Sequence, residues 1–79
     1  MSRTWNHRVV RRTYHHADGT TSTSFMVHEV YYDEDDLPSS CTEDGVEPYG
    51  ETLEELVVDL VRFRNAAELP VLDYDEVGR

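Results

Sequence analysis

The sequence has one cysteine, few turn-forming residues, no long apolar run and no Lys or Arg across its middle. A lone Cys41 cannot close an internal disulfide, and the N-terminus lacks the apolar stretch of a secretory signal, so a reducing bacterial cytoplasm is the expected location. No apolar run approaches the ~20 residues a spanning helix needs, and an acidic chain is repelled by anionic head groups, so no membrane association is expected. No G-x-S-x-G, G-x-x-x-x-G-K-[ST] or C-x-x-C occurs. With 79 residues, the chain forms one small domain hiding about 60–65% of its unfolded surface, which leaves no room for a deep substrate cavity.

Metal chemistry finds little support. His7, His15, His16 and His28 are not at H-E-x-x-H spacing, and Cys41 has no second thiol with which to make a zinc set. Asp33-Glu34-Asp35-Asp36 lacks the alternation around a glycine that a calcium loop requires. Cys41 has no nearby cation in sequence to lower its pKa and reads as an inert thiol. The expectation is no catalysis, no metal and no cofactor.

What is present is β-rich at the start and helical later. Residues 5–14 are β-branched and aromatic without Gly or Pro, and read as a strand. Ala17-Asp18-Gly19-Thr20 supplies turn chemistry, and residues 24–33 form a second strand of matching length. Phe25, Val27 and Tyr31 alternate with Met26, Val30 and Tyr32, so both faces carry apolar groups and alternation does not choose the buried one. Leu37-Pro38 bars simple continuation, and residues 39–43 make a short third strand.

The helix has the clearest signal. Thr52 as N-cap with Glu55 three residues on is a capping-box spacing, and Leu53, Leu56, Val57, Leu60 and Val61 form one stripe expected to face a core, extended by Phe63 and Ala67. Pro70 ends it, so the helix is expected over 53–67, with a further short strand over 71–74. The predicted fold is α+β: a small antiparallel sheet of three to four strands with one helix packed on one face.

Charge is the most uneven property. The net charge is -10, yet Arg3, Arg8, Arg11 and Arg12 precede the first acid, and no Lys or Arg stands between Thr13 and Val61. Within that interval lie Glu29, Asp33, Glu34, Asp35, Asp36, Glu43, Asp44, Glu47, Glu51, Glu54 and Glu55, with Asp59 beyond them. Such a field repels nucleic acid and draws cationic grooves, speeding encounter by about 10–10³ at low salt. A coat of carboxylates also serves solubility, but solubility alone does not require the segregation. Tyr31, with Tyr32 and Tyr49 nearby, offers rigid contact area within the acid. On the first strand, Arg8 and Arg12 share one face and Arg3 and Arg11 the other; no basic stripe results, pairing with acids on strand two is expected, and direct nucleic-acid binding is not.

The blocks W-N-H-R-V-V, H-E-V-Y-Y-D, G-E-T-L-E-E-L and P-V-L-D, in that order, resemble a family of small, mostly uncharacterised bacterial proteins. More distantly, D-L-P at Asp36 to Pro38, Cys41-Thr42, and G-E-T-L-E-E-L at Gly50 to Leu56 are similar to the strand-to-helix segment of HicB-type antitoxins. That resemblance implies three strands, a helix and a further strand; it departs in the seven residues 43–49 before the helix signal and lacks a following DNA-binding domain. By size and acidity the chain is similar to phage anti-CRISPR proteins that mimic DNA charge. The leading expectation is thus a non-enzymatic inhibitor whose acidic residues, with Tyr31, occupy a basic nucleic-acid-binding surface of a CRISPR effector complex. The alternative is a HicB-like antitoxin covering a small basic RNase toxin. The chain is expected as a monomer or small homo-oligomer, a dimer using strand one or the last strand because like charges oppose contact through the acid.

Overall fold

The structure, a computed structural model, describes residues 4–77. Strand β1 (Trp5–His15) pairs antiparallel with β2 (Thr21–Tyr32), in register from Trp5 opposite Tyr31 to His15 opposite Thr21. The connection is tight. Gly19 takes φ 88°, a conformation open to glycine, and Asp18 Oδ1 accepts from both the Thr20 amide (2.9 Å) and its hydroxyl (2.6 Å). The Asp18 side chain so closes the loop that β2 starts at Thr21, earlier than the expected residue 24. It ends at Tyr32 because Asp33 enters the next turn.

Strand β3 (Pro38–Cys41) pairs antiparallel with β2, and its edge continues irregularly through the Thr42 amide to the Glu29 carbonyl and the Val46 amide to the Val27 carbonyl. The expected third strand over 39–43 is therefore shifted to an earlier start and stop. Helix α1 (Leu53–Ala67) then carries the chain to the opposite edge, where β4 (Leu72–Asp73) pairs parallel with β1 and a 3-10 turn (Tyr74–Glu76) follows. The strand order is β3-β2-β1-β4. A small α+β fold is what the sequence led us to expect, but the sheet is mixed rather than wholly antiparallel. The helical crossover is the cause: it returns the chain to the far edge running in the direction of β1.

The register shows which face of β2 is buried. Asn6 and Val30, Arg8 and His28, and Val10 and Met26 are opposite pairs and share one face. Val10 and Val30 are wholly buried there, with His28 almost so. His28 Nδ1 lies 2.9 Å from the Thr42 carbonyl oxygen, which satisfies a polar ring inside an apolar layer. Arg8 ties three elements together by donating Nη1 to the Tyr32 hydroxyl (3.0 Å) and Nη2 to the Pro70 carbonyl (2.6 Å). The Tyr32 hydroxyl in turn donates to Asn6 Oδ1 at 2.7 Å.

Helix α1 lies against β1, with the His7 and Phe63 rings 5.0 Å apart. Ala66 is buried, and Leu56, Asp59 and Phe63 are half-buried, so the packed line runs at i, i+3, i+7 and i+10. Of the stripe expected to face the core, Leu56 and Phe63 do so and the rest does not. Leu53 is 76% exposed, Val57 50%, Leu60 48% and Val61 52%. The helix is rolled so that its narrow Leu56–Ala66 side touches the sheet, and a single neighbouring strand is too narrow to cover both lines.

Candidate functional site

The carboxylates singled out in the sequence do not form one continuous surface; the fold distributes them over four places. In the turn after β2, Asp33 Oδ1 accepts from the amides of Asp35 (2.8 Å) and Leu37 (3.0 Å), while the Asp33 amide donates to the Leu37 carbonyl (3.0 Å). Asp36 takes φ 60°, a left-handed conformation that a short polar side chain tolerates. Asp33 therefore builds the turn, and Glu34 and Asp35 stand exposed at its tip.

Glu29 and Tyr31 lie on the helix-facing side of β2, in register with His7 and Trp5. The Tyr31 hydroxyl donates to Glu29 Oε1 at 2.8 Å, and that carboxylate pushes the phenol above the usual tyrosine range. Trp5 stands edge-on to His7 at 5.3 Å, which extends an aromatic line from Trp5 through His7 to Phe63. Tyr31 is thus partly committed to its neighbour. Glu43 and Asp44 are exposed beyond β3, where the Glu43 carbonyl accepts from Arg12 Nη1 at 2.8 Å.

The most concentrated group surrounds the helix N-terminus. Tyr49, Gly50, Glu51, Glu54, Glu55, Val58, Asp59 and Arg62 line an open cleft of about 490 Å³. Asp59 Oδ2 accepts from the Tyr49 amide at 2.8 Å, pinning the preceding loop to the helix, and Thr52 Oγ1 accepts from the Glu55 amide at 3.1 Å. Gly50 lies so close to the first turn that a Cβ there would collide with the Leu56 amide nitrogen. The Tyr49 ring is 69% exposed at the rim of this cleft, and Glu47 is exposed just before it. Sequence position alone had put Tyr49 beside the acid; the Asp59 clasp that holds it there has no sequence signature.

The arginines of β1 do not neutralise acids on β2, contrary to expectation. Their cross-strand partners are His28 for Arg8, Phe25 for Arg11 and Ser24 for Arg12. Arg11 instead reaches the far edge, pairing with Asp73 at 2.5 Å and holding that carboxyl below the usual range. Among the described residues the other ion pair is Arg62 with Asp59 at 4.0 Å, leaving Glu51, Glu54 and Glu55 without a cationic partner.

Among the described residues, no three His, Cys, Asp or Glu side chains are grouped to hold a metal ion. Burial pushes the Cys41 thiol up, with Arg12 pulling weakly the other way. No described helix is long and apolar enough to cross a membrane. Compared with known proteins, the chain matches no family model, no curated protein and no solved structure.

Proposed function

We propose that the chain is a non-enzymatic inhibitor that sets its acidic surface against the basic nucleic-acid-binding surface of a partner protein. The observation that carries this is the cleft at the start of α1. There Glu51, Glu54 and Glu55 have no cationic partner among the described residues and stand beside the exposed ring of Tyr49. Carboxylates left unneutralised next to an aromatic anchor offer a cationic groove both charge and contact area. A CRISPR effector complex is the class of target that size and acidity suggest, with the carboxylates standing where phosphates would lie.

One observation favours a second target. The element order β-β-β-α-β is the three strands, helix and further strand that the resemblance to HicB-type antitoxins implies, and it supports neutralisation of a small basic RNase toxin. Paired assays separate the targets. An effector inhibitor restores phage plaquing in a host whose CRISPR system is active, whereas an antitoxin restores growth to cells expressing its toxin. Reversing Glu51 and Glu55 to Lys abolishes the relevant rescue. Full rescue by that variant would remove charge mimicry through this cleft.

A further inference from the structure

The outward side of α1 has no use inside the lone chain. Leu53, Val57 and Leu60 recur at spacings of four and three, the seam of a helix that packs on another helix, with Val61 beside them. All four are about half exposed or more. The chain is also extended for its size. Its radius of gyration is 14.2 Å where about 11.6 Å is usual for 79 residues, and its surface is 5983 Å² where about 4,900 Å² is usual for 9.2 kDa. That excess is of the same order as the ~800 Å² each partner contributes to a standard stable interface.

Charge selects the occupant and its direction. Beside the apolar seam stand Glu54 near one end of the helix and Arg64 near the other, neither in an ion pair among the described residues. A second copy laid antiparallel and centred on residue 59 sets Val57 against Val61, once on each side of the two-fold axis. The same register sets Glu54 against Arg64, twice by symmetry, and leaves Glu51 and Glu55 to the cleft beside Tyr49. A parallel arrangement would instead set Glu54 on Glu54 and Arg64 on Arg64. We propose that this face is the interface of a two-fold symmetric dimer in which α1 of one copy lies antiparallel on α1 of a second. β1 is not available as a free edge along its whole length, since β2 takes one side and β4 holds Val10 and Arg11 on the other.

Sedimentation equilibrium of the full chain, from low micromolar to near-millimolar concentration at physiological salt, tests this. The mass should rise towards twice 9.2 kDa. Val57→Glu with Val61→Glu should weaken association at least tenfold with unchanged far-ultraviolet circular dichroism, because both side chains already face water in one copy. Glu54→Arg and Arg64→Glu should each weaken it several-fold, and the two together should restore it. A chain that stays at monomer mass throughout, or a dimer indifferent to the valine changes, would overturn the interface. A combined charge swap no tighter than either single change would overturn the antiparallel register.

Discussion

The guanidinium carbon of Arg12 lies 4.0 Å from the centre of the Tyr74 ring, which clasps the Tyr74–Glu76 turn to the first strand. Tyr74 also meets the His28 ring at 6.1 Å, so it covers the buried face of the sheet near its edge. The contact is a cation–π pair backed by packing. Tyr74→Ala should lower unfolding stability by roughly 2–3 kcal/mol, while Tyr74→Phe should stay within about 0.5 kcal/mol, as read by urea denaturation.

Val30 and Leu37 separate core from surface. Val30 is fully buried and Leu37 is 59% exposed. Val30→Ala should cost about 2 kcal/mol through lost burial and a residual cavity, whereas Leu37→Ala should change stability by less than about 0.5 kcal/mol. Equal effects in chemical denaturation would contradict the assignment of the buried face.

Much of the fold was legible in the sequence, and the misses have physical causes. Thr52, Glu55 and Pro70 marked the helix ends because capping and ring closure are local chemistry. Its roll was not legible. Leu53, Val57, Leu60 and Val61 satisfy helical periodicity whether they meet a sheet or a second protein, and only tertiary contact through Phe63 and Ala66 separates the two. The buried face of β2 was hidden because His28, a polar ring, sits on it, satisfied by a carbonyl from Thr42 that no local pattern announces. The acids were legible as a composition but not as a surface: Asp33 is consumed by its own turn, while Tyr49 is brought to Glu54 and Glu55 by the distant Asp59.

Thr52 closes the first turn of α1 through its hydroxyl. Thr52→Ala should cost about 1 kcal/mol and fray the start of the helix, while Thr52→Ser should be nearly neutral. Amide hydrogen exchange at Glu55, whose N–H loses its acceptor, is the local readout. Faster exchange at Glu55 in the alanine variant alone is the expected pattern.

The Arg11–Asp73 pair fastens β4 to β1 and makes stability depend on acid. Asp73 has its folded pKa depressed by Arg11, so the pair's contribution is complete above the unfolded value and is lost as pH falls through the folded one. Because both side chains are partly in water, the effect is modest and screened by salt. Wild type should lose its advantage over Asp73→Asn as pH drops below about 4. Thermal melts of the two proteins that stay a constant distance apart between neutral pH and pH ~2 would contradict this linkage.

The most direct test of the inhibitor reading is affinity capture from bacterial lysate at low salt, run in parallel with wild type and with the Glu51→Lys, Glu55→Lys variant. Asp33 is left intact because its carboxylate holds a turn. Wild type should retain a basic nucleic-acid-acting protein that added nucleic acid displaces and a salt step elutes, and the variant should not. Capture of the same protein by both, undisturbed by nucleic acid, would contradict charge mimicry at the cleft beside Tyr49.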